Sequence, residues 1–251
     1  MHWRVLRFRN HSAAENMAID EAILESHLRG LTPPTLRFYG WTPPAVSYGY
    51  NQVLPEETVA RIKAEGLDVV RRPTGGRAVL HMGEFTYSFV GSSSTQDFQK
   101  GFLSSTISEA YRQICNGLQG GLARLGVEVE LGKAQAAYRQ QQDCFLATTG
   151  ADLHYNGKKL VGSAQLRRKH AVLQHGSLLL NQPQELMPRL LGVIPDSDAA
   201  KAERHANLFE IIDPCDVEKI ETAMIAGFSE AFGVEFDEGE ISFAELASVQ
   251  V

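Results

Sequence analysis

A chain of 251 residues, 43% apolar and 22% charged, has an ordinary globular composition and is long enough to bury a full core. Its net charge of -6 gives no support to nucleic-acid binding, and no segment approaches the length of a membrane-spanning helix. The start, MHWRVLRFRN, lacks the apolar run of a signal peptide. One domain over residues 1–251, in the cytoplasm, with no nucleic-acid or membrane partner, is the resulting expectation.

In chain order, Ser12 stands three residues before Glu15, a capping box that opens a helix running toward Gly30. TLRFYG and AVSYGY follow as strands around the turn-rich WTPP, whose paired prolines exclude a helix. PEETVARIKAEG reads as a short helix begun by Pro55 and ended by Gly66, with LDVVRR as the next strand. After the PTGG turn come RAVLH and EFTYSFV, where Phe85, Tyr87 and Phe89 alternate onto one face. Residues 104–125 predict an amphipathic helix burying Ile107, Tyr111, Ile114, Leu118, Leu122 and Leu125, weakened by Gly120 and Gly121.

ADLHYNGKKLVGSAQL places two strand-like runs around Asn156-Gly157, the preferred pair for a type I′ hairpin turn, and that register sets Lys159 opposite His154. AVLQHGSLLLN is a further strand. DPCDVEKIETAMIAGFSEAFG predicts a last helix with Asp213 as cap and Pro214 in its first turn. Strands that come in hairpins and do not alternate strictly with helices indicate an α+β fold: a mixed, largely antiparallel sheet flanked by helices.

Three stretches could carry chemistry. RRPTGGRAVLH supplies Arg71, Arg72, Gly75, Gly76, Arg77 and His81; bare glycines let a ligand approach the backbone, and arginines suit an oxygen-rich group. A glycine hairpin with solvated arginines is the plainer reading of an isolated TGG, and the stretch matches neither the P-loop nor the GxGxxG pattern. Three cysteines, an odd number without CxxC spacing, argue against a disulfide framework and a zinc knuckle, so no metal and no cofactor is expected. Cys144, in the aperiodic QQQDCFLATTG, is the leading nucleophile candidate. Cys115 falls on the buried side of a helix, and Cys215 sits between Asp213 and Asp216, which would raise its pKa. Lys159 taken alone is an edge lysine whose stem leads to solvent, and His81 and His175 taken alone are satisfied polar residues.

Together and in order, RRPTGGRAVLH, NGKKLVGSAQ and QHGSLLLN resemble the superfamily of lipoate–protein ligases, octanoyltransferases and biotin–protein ligases. The likeness runs from NMAIDEAIL to about residue 182 and includes LRFYGWTPPAVSYGYNQ. The resemblance implies that family's catalytic-domain fold and selects Lys159, before the GSA strand, as the residue that binds the acyl carbonyl. TGGRA followed by a CF some fifteen residues before the lysine is most similar to the cysteine-dependent octanoyltransferases that load the glycine-cleavage H protein, which makes Cys144 the nucleophile. Met82 stands where an Asp is common, and TTGADL replaces an aromatic-containing segment. DPC at 213–215 is similar to the PCG of another octanoyltransferase family but lacks the glycine.

The implied reaction moves an octanoyl group from acyl carrier protein to a lysine of a lipoyl-domain protein, such as the H protein, through a Cys144 thioester, without nucleotide. Arg71, Arg72, Gly75, Gly76 and Arg77 would shape the acyl-entry wall; His81, Ser163, Ala164 and His175 would surround the carbonyl end. Lys159→Ala is expected to abolish transfer with the fold intact. The arginines of 71–77 and 167–168 would meet an acidic partner. Two rivals remain: an ATP-dependent lipoate–protein ligase, and a non-catalytic acyl-binding scaffold.

Overall fold

The Ser12 hydroxyl accepts from the Glu15 amide and the Glu15 carboxylate accepts from the Ser12 amide, so the predicted capping box starts α1 (Ala13–Leu28). The computed structural model describes residues 1–132, 152–183, 186–192, 205–242 and 245. Ahead of α1 lies β1 (His2–His11), which the sequence reading missed; a register shift between Leu6 and Arg9 breaks its two-residue alternation. After α1 come β2 (Thr35–Trp41), β3 (Ala45–Tyr48), α2 (Glu56–Ala64), β4 (Asp68–Arg71), β5 (Val79–His81) and β6 (Glu84–Ser92). The second half holds α3 (Ile107–Arg124), β7 (Glu130–Leu131), β8 (Leu153–Tyr155), β9 (Lys158–Arg168), β10 (Ala171–Leu179), α4 (Leu186–Leu191), α5 (Val217–Phe232) and β11 (Glu235–Glu238).

Eight strands form one sheet in the order β11-β1-β2-β6-β10-β9-β8-β7, and β4-β3-β5 form a second. In the large sheet only β1 with β2 and β1 with β11 run parallel, so the mixed, largely antiparallel α+β architecture is the one found. Asn156 and Gly157 both take positive φ, at 48° and 77°, as a type I′ turn requires, and the resulting register does pair His154 with Lys159.

Strand alternation gives the large sheet two unlike faces. Pairings such as Tyr87 with Gly176 and Gly176 with Ser163 define one face, where Phe38, Phe85 and Phe89 pack with Ile114 and Leu118 of α3 and Phe228 of α5. Ser88 with His175 and His175 with Ala164 define the other, covered by α1 and carrying most of the buried polar side chains. Beside α1, the small sheet packs under α2 and α4 through Val46, Ile62, Leu80, Met187 and Leu190.

Two helix expectations are corrected. Ile107 is 61% exposed, because α3 begins at that residue, one turn before the helix meets the core. The last helix starts at Val217 with Asp216 as its cap, accepting from the Lys219 amide at 2.8 Å; Asp213 and Pro214 precede the helix. Gly121 proves to be a packing residue: a Cβ there would lie 2.6 Å from Met224 Sδ, and one on Gly227 of α5 would lie 2.2 Å from the Gly121 amide nitrogen. Among the described residues, no helix is long and apolar enough to cross a membrane.

Candidate active site

α1 buries Asn16 and Asp20, one helical turn apart, among its apolar residues, with Ser26 and His27 buried nearer its C-terminal end. Asp20 accepts from Arg37 Nη1 at 2.7 Å, Ser88 Oγ at 2.8 Å, Tyr39 Oη at 2.9 Å and His175 Nδ1 at 3.0 Å. Burial by itself would raise the Asp20 carboxyl, but the Arg37 guanidinium and these donors hold it below the usual carboxylate range. Asn16 Oδ1 takes the other Arg37 nitrogen at 2.6 Å.

Two histidines stand over this network with both ring nitrogens engaged. His175 Nε2 meets Thr74 Oγ1 at 2.6 Å, while its Nδ1 meets the Asp20 carboxylate at 3.0 Å. His81 contacts Glu84 Oε1 through Nδ1 at 2.7 Å and Ser47 Oγ through Nε2 at 2.8 Å, and it stacks on Trp41. Burial pushes the His81 pKa down, against the opposing pull of Glu84.

Arg72 staples the glycine turn from within. Its guanidinium donates to Gly75 O at 2.9 Å, Arg77 O at 2.6 Å and Ser47 Oγ at 3.0 Å. The Tyr50 amide donates to Thr74 O, and Gly49 packs so close to Gly76 that a Cβ at 49 would lie 2.2 Å from Gly76 O. Arg71 points outward over the Tyr50 ring at 5.0 Å, and Arg77 is half-buried.

Between the glycine turn and the large sheet lies a cleft of about 370 Å³, its open side included. Arg72, His81, Ser163, Ala164 and His175 all line it, with Trp41 and Tyr39 as apolar walls. β9 and β10 offer Gly162, Ser163, Ala164, His175, Gly176 and Ser177 there, so apart from the His175 ring no side chain longer than a hydroxymethyl group fills that stretch of sheet. Arg71, Gly75, Gly76 and Arg77 do not line the cleft.

Lys159 is 1% exposed and lies 3.0 Å from Asp152 Oδ2, itself 1% exposed. A sheet-edge lysine reaching solvent is therefore excluded, and its ammonium already has a carboxylate partner within the protein. By strand alternation Lys159 shares the face of Val161 and Ser163, together with Tyr87. Cys115 is buried near this cluster, its thiol pushed up to about 12 by desolvation and by the Asp152 charge. Cys215 is half-buried ahead of α5. Cys144 lies outside the described residues.

The sequence reading missed Asp20, Arg37, Thr74, Glu84 and Asp152. Asp152 had a signal: it precedes by two the residue that the hairpin sets across from Lys159. Among the described residues, no three His, Cys, Asp or Glu side chains are grouped as a metal site.

Residues 12–229 match the family model described as the lipoyl protein ligase A/B catalytic domain. The chain is 40% identical to a Kyrpidia tusciae protein named octanoyltransferase LipM, over 99% of this chain and 93% of that one. It is also 40% identical to the protein of that name from Carboxydothermus hydrogenoformans, over 97% and 91%. A lipoate-protein ligase A bound with ATP superposes with a TM-score of 0.80 at 27% identity, covering all of this chain and 93% of the other. A putative lipoate protein ligase from T. acidophilum with bound lipoic acid gives 0.78 at 27% identity, covering all of this chain and 94% of the other. On the extent of these matches, the chain belongs to the lipoyl protein ligase A/B catalytic-domain family.

Proposed function

We propose that the chain is an octanoyltransferase of lipoate assembly, moving an octanoyl group from acyl carrier protein to a lysine of a lipoyl-domain protein such as the glycine-cleavage H protein. The observation that carries this reading is its near-full-length likeness to proteins named octanoyltransferase. The cleft supports it, since beside the His175 ring its sheet wall is built of glycine, serine and alanine, small residues of the kind an unbranched acyl chain can lie against. We place the enzyme in the cytoplasm, as one catalytic domain.

In the first half-reaction the Cys144 thiolate attacks the thioester carbonyl, the carrier's C–S bond breaks, and the carrier's sulfur takes up the proton that Cys144 gave up. In the second, the neutral amine of the acceptor lysine attacks the enzyme thioester, forming the amide and returning Cys144 to its thiol. Each half passes through a tetrahedral oxyanion. Lys159 is the cation for that charge, and Asp152 offsets the penalty of its burial while the site is empty. Of the glycine-turn residues, Arg72 borders the cleft and fixes the turn, while Arg71, Gly75, Gly76 and Arg77 stand outside its lining, toward the entry; His81, Ser163, Ala164 and His175 form the carbonyl end. With both ring nitrogens engaged, the two histidines shape the cleft.

The likeness to a lipoate-protein ligase bound with ATP favours a second reading, ATP-dependent ligation of free lipoate. Octanoyl carrier protein supplied without ATP or acceptor separates the two. The transferase accumulates a hydroxylamine-sensitive adduct that maps to Cys144 and is lost in Cys144→Ser. A Cys144→Ser variant fully active with lipoate and ATP refutes the thioester route.

A further inference from the structure

On the small-sheet side of the cleft, a hydroxyl, an imidazole and a carboxylate stand in series and take no chemical part in the transfer steps above. β3 and β5 pair antiparallel, with Ala45 opposite His81 and Ser47 opposite Val79, so these four side chains share one face of the small sheet. Val46 and Leu80 point the other way, into the core under α2 and α4. Ser47, Val79 and His81 accordingly all line the cleft.

The hydrogen bonds on this face run one way. Arg72 Nη1 donates to Ser47 Oγ at 3.0 Å, and a guanidinium cannot accept, so the serine keeps its own proton to give elsewhere. His81 Nε2 lies 2.8 Å from that oxygen, and His81 Nδ1 lies 2.7 Å from Glu84 Oε1. Burial holds the His81 pKa down, so the ring is neutral with a single N–H; Nδ1 donates it to the carboxylate, and Nε2 accepts from Ser47. Trp41 stacks on the ring with centroids 3.8 Å apart. Thr86 Oγ1 accepts from Trp41 Nε1 at 2.9 Å and donates to Glu84 Oε1 at 3.3 Å, which fixes the carboxylate. Both ring contacts are within the reach of a nucleophile and its base. His175 makes a similar series between Asp20 and Thr74, but Thr74 does not line the cleft.

We propose that Ser47 is an oxygen nucleophile toward medium-chain acyl thioesters and esters, with His81 as its base, giving the chain an acyl-hydrolase activity separate from transfer. The inference rests on the acyl-cleft part of the proposed function and on no cysteine. Ser47 Oγ attacks the acyl carbonyl carbon and its proton moves to His81 Nε2; the C–S bond breaks and the proton passes to the departing sulfur. Water then attacks the ester carbonyl and gives a proton to Nε2. The bond from the acyl carbon to Oγ breaks as that proton returns to Ser47, and the free fatty acid leaves. Arg72 and Glu84 are positioning residues: the guanidinium offsets charge that develops on Oγ, and the carboxylate steadies the ring when it carries two protons.

The test uses octyl fluorophosphonate as probe on the full chain, wild type and Cys144→Ala. A bond from Ser47 Oγ to phosphorus is expected to form as the P–F bond breaks, and peptide mapping places the adduct on Ser47 in both proteins. His81→Gln is expected to slow labelling about 100-fold, as loss of a general base does. Glu84→Gln should slow it too, with thermal melts showing that each variant is folded. Cys144→Ala should also hydrolyse p-nitrophenyl octanoate with an initial burst that Ser47→Ala loses. The wild-type labelling result depends on no variant. Absence of a Ser47 adduct, or labelling at an unchanged rate in folded His81→Gln, overturns the proposal. If Ser47 stays unlabelled while octanoyl transfer proceeds, the hydrolase proposal alone fails; if neither occurs, the acyl-cleft reading fails with it.

Discussion

Lys159 and Asp152 form a buried pair, so removing one takes a close opposite charge from the other where buried charge is costly. The sequence alone led to the expectation that Lys159→Ala would inactivate without unfolding; the pair changes that expectation. Lys159→Met should lose activity and about 3–5 kcal/mol of stability. Lys159→Met combined with Asp152→Leu should recover most of the urea midpoint and none of the turnover. If the single variant melts like wild type, the pair contributes little. The histidines make a pH prediction. Burial lowers the pKa of His27 and His81, so each stays neutral in the fold while its unfolded counterpart titrates near 6.5. Their contribution is complete above that value and is lost as pH falls from it toward the folded values, because the unfolded chain then binds protons that the fold refuses. The melting temperature should accordingly be lower at pH 5.5 than at pH 7.5. An unchanged melting temperature would remove both residues from the account. What could be read beforehand at this scale was local. Asn-Gly fixed the position of Lys159 against His154, whereas the Asp20 network joins α1, three strands and the glycine turn, which no short stretch of sequence reveals.

α3 was legible from its 3.6-residue period, but the reason for its glycines was not. Gly120 and Gly121 read as weak points in an isolated helix, where glycine lowers stability relative to alanine. In the fold, Gly117 and Gly121 let α5 approach until backbone meets backbone, with Phe228 and Met224 seated over them. The period of a helix reports which face is buried but carries no information on how near the covering element comes. Gly227→Ala tests this contact: its new methyl would lie 2.4 Å from Gly117 O and 2.2 Å from the Gly121 nitrogen, both backbone atoms that cannot rotate away. A loss of about 1–3 kcal/mol in chemical denaturation is expected, as for an overpacked core. Gly126→Ala is the control, since nothing lies within 4 Å of a Cβ at that position, although its φ of +82° adds strain. If Gly227→Ala proves no worse than Gly126→Ala, close helix approach is not what the glycine serves. The start of the last helix was also misplaced. Asp213 and Asp216 are both capable caps, and the helix takes the second.

Across the whole molecule the charge is -6, so attraction to the acidic carrier proposed as donor would have to come from a local patch. The structure narrows that patch. Arg72 is committed to the glycine turn, Arg167 to the carbonyls ahead of α3, and Arg168 to Glu21 and Glu25. Arg71, exposed beside Tyr50, is the arginine of these sets best placed to meet a partner. Arg71→Glu should raise KM for octanoyl carrier protein severalfold at low salt, with the gap closing as ionic strength rises. A gap that is constant with salt would assign Arg71 a role other than steering. The large sheet has a temporal consequence as well. β1 borders β11, which is made long after it, with His2 beside Glu235. During synthesis β1 must therefore wait for β11 before its outer edge is covered, and until then it presents unpaired amides and carbonyls to any neighbouring nascent chain. Contacts this distant in sequence also slow folding. β11 thus serves as a closing seam, so that crowded polysomes and slow translation of the stretch before it are the conditions under which this sheet is most exposed to aggregation.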